Sequence, residues 1–221
     1  MISNKNRKDF EVIVIDNAST DKTKKIAKSF KGVKVYTEKR KGTNFARNLG
    51  LKKSSGILIA NIDADSTLNK KWLDTVLYEF ENKPYLVALS GPCKFFDLPL
   101  YSNLLISLYY YLIHPFYIIS NKLFGTGGLI MGGNLVVKRE ALIKAGGYNQ
   151  NLTFHGDDFD TAARLSKVGE ILFNYKLTIN TSGRRIRGEG LLKSSYKYLV
   201  NHFWMFIFQK PIHTNSIHYE K

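Results

Sequence analysis

With 221 residues, 44% of them hydrophobic and 13% aromatic, the chain is long enough for one α/β domain with a sizeable core, too short for two, and too aromatic for global disorder. Its 33 Lys and Arg against 18 Asp and Glu leave a net charge of +15, which implies an anionic partner: nucleic acid, an anionic membrane surface or a phosphorylated substrate. The single cysteine, Cys93, excludes an internal disulfide and reads as a small buried core residue, and the opening MISNKNRKDF lacks the apolar stretch of a secretory leader, so a cytoplasmic location is expected.

Taken in chain order, Phe10 to Ile15 (FEVIVI) reads as a strand buried on both faces, ending in the polar loop Asp16-Asn17-Ala18-Ser19-Thr20-Asp21. A helix from Lys22 to Phe30, capped by Thr20 or Asp21, and a short strand over Val33 to Tyr36 follow. A turn at Lys41 to Asn44 leads into a helix over Phe45 to Lys53, and Ile57 to Ile62 is the next buried strand, with Asp63-Ala64-Asp65 at its C-terminal end. A helix near Lys70 to Glu81 carries Trp72, Leu73, Val76, Leu77 and Phe80 at helical spacing, and Leu86 to Ser90 is a strand. This alternation predicts a mostly parallel, doubly wound sheet, whose ligands bind outside the C-terminal strand ends, where Asp16 and Asp63–Asp65 fall.

Between Asp97 and Lys122 no residue is charged, and Tyr101, Tyr109, Tyr110, Tyr111 and Tyr117 are interrupted by Pro115. A membrane-spanning helix needs about 20 mostly apolar residues, which Pro115, His114 and the Ser and Asn residues spoil. Two short helices are expected over residues 98–124, either interfacial at a membrane or packed inside the domain. Beyond the Gly-rich stretch Gly125 to Gly133 come a strand over Asn134 to Lys138, a helix over Arg139 to Ala145, a helix over Asp158 to Lys167, and short strands at Ile171 to Phe173 and Leu177 to Ile179. The aromatic and basic stretch Leu191 to Lys210 reads as a membrane-surface or packing helix.

Three groups of residues can carry chemistry. Asp63 and Asp65 offer two hard oxygen ligands at a strand end, suited to a divalent ion that bridges phosphate oxygens. A D-x-D is a weak signal by itself, since Asp158-Phe159-Asp160 is another; its place after a buried strand raises it. The acids Asp157, Asp158 and Asp160 either cap a helix start or include a general base. Arg184, Arg185 and Arg187 form either a solvated basic turn or a clamp on phosphate oxygens. Metalloprotease, paired C-x-x-C zinc, P-loop and α/β-hydrolase motifs are absent from the sequence.

In order and spacing, FEVIVIDNASTDKT (Phe10 to Thr23), KGTNFARNLGL (Lys41 to Leu51), ILIANIDADS (Ile57 to Ser66), GGNLVVKREALIKAGGYNQNL (Gly132 to Leu152) and HGDDFDTAARLSKVG (His155 to Gly169) resemble the family 2 glycosyltransferases with a GT-A fold. The resemblance implies an inverting sugar transferase that uses a nucleotide diphosphate sugar, a UDP-sugar foremost, and Mg²⁺ or Mn²⁺. It assigns Asp16, Asn17 and Ser19 to the nucleotide loop and Arg47 to the nucleotide or its diphosphate. Asp63 and Asp65 match the metal motif, with Asp65 the more direct ligand. Gly133 and Asn134 match the loop beside the donor sugar, Asp158 the catalytic base, and Arg184 and Arg185 a basic pair near a phosphate. Asp157 stands where Glu is common.

The resemblance further implies a saccharide or polyprenyl-phosphate acceptor, an anionic membrane surface as partner rather than nucleic acid, and a peripheral position on the inner face of the cell membrane. Residues 1–187 are then the transferase domain and 188–221 an amphipathic C-terminal segment. It also implies a strand and helix ahead of Phe10, so the domain is expected to be N-terminally truncated. The competing function is a non-catalytic module, a remnant or half of a split enzyme, that binds membranes or nucleotides through its basic surface.

Overall fold

The computed structural model describes residues 10–152, 156–190, 193–196, 200 and 204. The elements run β1 (Val12–Asp16), α1 (Thr23–Lys28), β2 (Val33–Thr37), α2 (Thr43–Lys53), β3 (Leu58–Ile62), β4 (Thr67–Leu68), α3 (Trp72–Asn82), β5 (Leu86–Ser90), β6 (Cys93–Phe95) and α4 (Leu100–Phe124). They continue with β7 (Asn134–Lys138), α5 (Arg139–Lys144), α6 (Asp157–Leu165), β8 (Glu170–Phe173), β9 (Ile179–Thr181) and α7 (Arg184–Glu189). The expected strands and helices recur in order, joined by β4, β6 and α7, which were not expected, and the C-terminal helix expected over Leu191 to Lys210 falls largely outside the described residues.

The strands form three sheets: β1-β2, β3-β7-β5-β8 and β4-β9-β6. β1 pairs parallel with β2, β5 with β8 and β6 with β9, but β7 runs antiparallel to both β3 and β5. The sheet is thus mixed, with helices on its faces. β7 returns antiparallel between β3 and β5 although the connection that leads to it contains the 25-residue helix α4.

β7 divides the core. Leu135 and Val137 face a cluster with Leu51, Leu142, Tyr148, Ala162 and Leu165, while Val136 faces Trp72, Val76, Leu86, Leu89, Leu177 and Ile179 on the other side. This is the period-two alternation of a strand covered on both faces. A register shift between Leu86 and Ala88 lets Leu86 and Leu89 share one face despite their odd spacing. Each fully covered Leu or Ile contributes about 1.5–3 kcal/mol of apolar transfer, so these two layers supply most of the driving force.

Two sequence expectations need correction here. FEVIVI and ILIANI read as doubly covered strands, yet of β1 only Asp16 is buried, and Val12 and Ala60 are exposed. The reason is sheet position: among the described residues β1 pairs with β2 alone and β3 with β7 alone. Second, residues 98–124 are not two helices. α4 is one 25-residue helix with Pro115 inside it. Pro115 sits on the exposed side of α4, while Tyr110 and Tyr117 on the other side are clamped in an aromatic cluster with Leu129 and Phe173. Tertiary packing on both flanks holds the helix together across the missing hydrogen bond.

Cys93 is buried, and burial pushes its thiol up to about 12, so it behaves as the core residue expected from its isolation rather than as a nucleophile.

Candidate active site

The site is assembled from loops at the ends of β3, β7 and β9 and from the starts of α6 and α7. After β3 the chain turns at Asp63-Ala64-Asp65, closed by a hydrogen bond from Ser66 N to Asp63 O of 2.9 Å. The turn ahead of β7 contains Gly132 and Gly133. It is pinned from behind by Ser90, whose hydroxyl accepts from Met131 N (2.8 Å) and donates to Asn134 O (2.8 Å).

Both glycines are there because of close approach. A Cβ on Gly133 would overlap the Asp63 carboxylate, and one on Gly132 would overlap the carboxylate of Asp158 and the guanidinium of Arg47. Gly133→Ala is accordingly expected to push Asp63 aside. A displacement of about 1 Å at a reacting centre costs on the order of 100-fold in rate, so donor turnover should fall by that order while the melting curve shifts little. Retained turnover in this variant would show that the glycine turn does not shape the site.

Arg47, on α2, lies among the acids. Its Nη1 is 3.1 Å from Asp157 Oδ2 and 3.6 Å from Asp158 Oδ1, its side chain is only 13% exposed, and it stands over the Tyr148 ring. Arg47, expected near the nucleotide or its diphosphate, is in the structure an ion-pair partner of Asp157 and Asp158. α2 is held in this position by Asn44, which donates to Asn149 O and Leu152 O, and by Asn48, which bonds both Tyr148 N and Tyr148 O. Asn61 of β3 donates to the Tyr148 hydroxyl, closing the frame.

Asp158 accepts a hydrogen bond from Gly132 N at 2.9 Å. Desolvation, reinforced by the neighbouring Asp157 and opposed by Arg47, raises its carboxyl to about 7, although the side chain keeps 38% exposure toward the cleft. Asp158 can therefore exchange a proton near neutral pH, which is what a general base requires. Asp63 is also pushed upward, chiefly by desolvation, with Arg47 and Arg185 pulling the other way.

Asp65 accepts from Thr181 Oγ1 at 3.2 Å and lies 3.7 Å from Arg184 Nη2. Arg185 is drawn toward the same acids: burial lowers its pKa, while Glu189, Asp158, Asp63 and Asp157 oppose that. α7 starts where it does because Asp97 accepts from Ser182 Oγ (2.7 Å) and Gly183 N (2.5 Å) and pairs with Arg187 Nη2 (2.9 Å).

The acids Asp63, Asp65, Asp157 and Asp158 and the arginines Arg47, Arg184 and Arg185 thus meet in one place. The β1 loop forms a separate constellation. Asp16 is buried and accepts from Ser19 N at 3.3 Å, and Asn17 spends its side chain on Glu38 O, Arg40 O and Gly42 N. Ser19 is exposed, and Ala18 adopts a left-handed φ of 54°. No described hydrogen bond or ion pair joins this loop to Asp63 or Asp158.

Asn134 differs from its expected place beside a donor sugar. It is fully buried, accepts from Trp72 Nε1 (3.0 Å) and donates to Gly91 O (3.0 Å) and Leu177 O (2.6 Å). Its side chain serves the core, and only its backbone belongs to the glycine turn. Sequence reasoning also missed Asn44, Asn48, Ser90, Asp97 and Thr181. Asn44, Arg47 and Asn48 lie at i, i+3 and i+4, so a polar stripe on α2 was available as a signal; the other three carry none.

Although these acids line one cleft, among the described residues no three His, Cys, Asp or Glu side chains are arranged to hold a metal ion by themselves. Asp63 and Asp65 nevertheless fit a divalent cation. They are paired hard oxygen donors open to solvent, ionised Asp63 is disfavoured without a counter-charge, and Ser66 Oγ beside them is buried with no hydrogen-bond partner. Two protein carboxylates leave the remaining positions to water and a substrate phosphate, which is how Mg²⁺ is usually held.

The molecule is thus a mixed α/β protein with an acidic, arginine-bordered cleft at its loop ends. The same fold occurs in a mannosyltransferase of Pyrobaculum calidifontis solved with GDP-Man and Mn²⁺ (TM-score 0.59, 20% identity, 86% of this chain and 55% of that one). It also occurs in S. aureus TarS 1-349 solved with UDP-GlcNAc (TM-score 0.60, 18% identity, 80% of this chain and 50% of that one).

Residues 2–146 match the family described as Glycosyl transferase family 2, and the chain belongs to that family. A glycosyltransferase, AglE, of Haloferax volcanii is 37% identical over 70 residues, which are 29% of this chain and 23% of AglE. A cholesterol galactosyltransferase of Borreliella burgdorferi is 23% identical across 96% of this chain and 70% of its own length. The AglE match thus spans about a quarter of that relative.

Proposed function

We propose that the chain transfers a sugar from a nucleotide diphosphate sugar to an acceptor hydroxyl or lipid phosphate with inversion at the anomeric carbon. The observation that carries this reading is Asp158: a carboxyl raised to about 7, held by Gly132 N and flanked by Arg47, in the same cleft as the Asp63/Asp65 pair. Asp158 takes the acceptor proton as the acceptor oxygen bonds the anomeric carbon and the bond to the diphosphate oxygen breaks. Arg184 and Arg185 face the departing phosphate charge. Asp63 and Asp65 would hold Mg²⁺ or Mn²⁺, which supplies Lewis-acid stabilisation of the leaving diphosphate when bound. Asp16 and Ser19, in the β1 loop, are assigned to the nucleoside, a uridine foremost, and Gly133 to the donor sugar.

Solved relatives bound to GDP-Man, UDP-GlcNAc and UDP support a nucleotide-sugar donor. Relatives that include a cholesterol galactosyltransferase and a glucosyl-dolichyl phosphate glucuronosyltransferase of Haloferax volcanii favour a lipid-linked acceptor. The same reading keeps the chain on the cytoplasmic face of a membrane in cell-surface polysaccharide or glycolipid synthesis, its net charge of +15 opposite in sign to the lipid. The amphipathic segment after residue 187 is assigned to that surface as well.

The test is donor binding by calorimetry, with and without Mn²⁺. UDP-sugar or GDP-sugar should bind only with the ion present, and Asp65→Asn should weaken binding at least about tenfold by removing a charged ligand. No metal-dependent binding to either donor class would overturn the reading.

A further inference from the structure

α4 is packed on one side and bare on the other. Ser102, Tyr110, Tyr117 and Ser120 are buried against the domain. Along the opposite side, at helical spacing, Leu104, Leu108, Leu112, Ile119 and Leu123 are each more than half exposed. Eleven large apolar side chains of this helix are exposed in all, and soluble monomers rarely leave extended apolar surface of this kind uncovered. From Leu104 to Leu123 the stripe extends roughly 29 Å at 1.5 Å per residue. Among the described residues no helix is long and apolar enough to cross a membrane, so the stripe needs a cover other than transmembrane insertion.

Charge decides what that cover is. α4 has no acidic residue, and its one charge, Lys122, is exposed at the C-terminal end. At the N-terminal end, Asp97 ties α7 beside the helix start, and Arg184 and Arg187 remain exposed there, near exposed Lys94. A second copy docked through α4 would set cations against cations in either orientation: Arg184 and Arg187 on Lys122 if antiparallel, or on their own counterparts if parallel. An anionic bilayer meets both requirements. Its acyl boundary takes the leucines, its headgroups take the cations at each end, and exposed Tyr101 and Tyr111 sit at the level tyrosine prefers.

We infer that the outer face of α4 is a docking surface for an anionic phospholipid bilayer, with Lys122 and Arg187 on the headgroups. Arg184, 3.7 Å from Asp65, then stands at the border between lipid and cleft. This deepens the transferase reading, on which only the delivery of a lipid-linked acceptor to the site depends.

The experiment is co-sedimentation of the full chain with phosphatidylcholine vesicles, with or without roughly one quarter phosphatidylglycerol. Binding should require the anionic lipid and weaken as salt rises from about 0.1 M to about 1 M, where the screening length falls from about 10 to about 3 Å. The paired variant Leu108→Glu/Leu112→Glu should lose about tenfold or more, and Leu104→Ser/Leu112→Ser less, both keeping the wild-type melting curve. Failure to sediment with anionic vesicles, or undiminished binding by both variants, would overturn the inference. So would a dimer in solution that Leu108→Glu/Leu112→Glu dissociates, since that assigns the face to a second copy. Wild-type chain that binds vesicles but no donor with Mn²⁺ would sink the transferase reading and leave the docking surface standing.

Discussion

Asp158→Asn is expected to cut sugar transfer about 10²–10⁴-fold, the usual contribution of a positioned general base. The same substitution should make the folded chain more stable at neutral and alkaline pH. Folding raises the Asp158 carboxyl to about 7, through burial and the nearby Asp157. A carboxyl raised in the native state binds more protons there than in the unfolded chain. Its penalty is absent below the unfolded value, grows as pH rises, and is complete above about 7. Asn, isosteric and neutral, still accepts from Gly132 N and removes that penalty. Because the side chain retains 38% exposure, solvent screening trims the gain to on the order of 1 kcal/mol. Thermal melts at pH 5 and pH 8 should therefore separate the variant from wild type mainly at the higher pH. Wild-type activity should rise through about 7 from the acid side. Equal melting differences at both pH values, or unimpaired transfer by the variant, would remove Asp158 from its assigned role.

Arg47→Ala is expected to be the most destabilising single change at the site, by about 3 kcal/mol in urea unfolding, because breaking a largely buried ion pair leaves its partners uncompensated. Arg47 and Asp157 are only 13% and 17% exposed, and Arg47 also pulls Asp158 and Asp63 toward ionisation. Its loss should drive the Asp158 carboxyl further up and move the acid limb of the pH–activity profile to higher pH. Arg47→Lys should recover part of the stability, since an ammonium supplies the charge but not the fixed donor direction of the Nη1 that meets both Asp157 and Asp158. An Arg47→Ala protein as stable as wild type would mean that the acids are solvated without it.

Much of this chain could be read from patterns of two and 3.6 residues. The strands expected at Asn134–Lys138 and Leu86–Ser90 are present with those limits, and the helix expected near Lys70 to Glu81 is α3 (Trp72–Asn82), which buries Trp72 and Val76 of the apolar set read at helical spacing. The acids of the cleft were also visible, because Asp63, Asp65 and Asp158 sit at element ends, where a polar residue after an apolar run stands out. Helix periodicity carried α4 only as far as Pro115, whose breaking tendency is local, whereas the clamp of Tyr110 and Tyr117 on Phe173 is not. Asn134, which the resemblance assigns to the loop beside the donor sugar, spends its side chain on Trp72, Gly91 and Leu177 from three other segments, a burial that no local pattern encodes.

By itself, the sequence determined the order of elements, the family, the basic charge and the identity of the acids at the strand ends, since each depends on local spacing or composition. Only the tertiary structure decided that Arg47 bridges Asp157 and Asp158, that Gly132 and Gly133 press against two carboxylates, and that one face of α4 is left bare. Those features depend on segments about 20 to 110 residues apart meeting within a few ångströms, which sidedness and spacing along the chain do not encode.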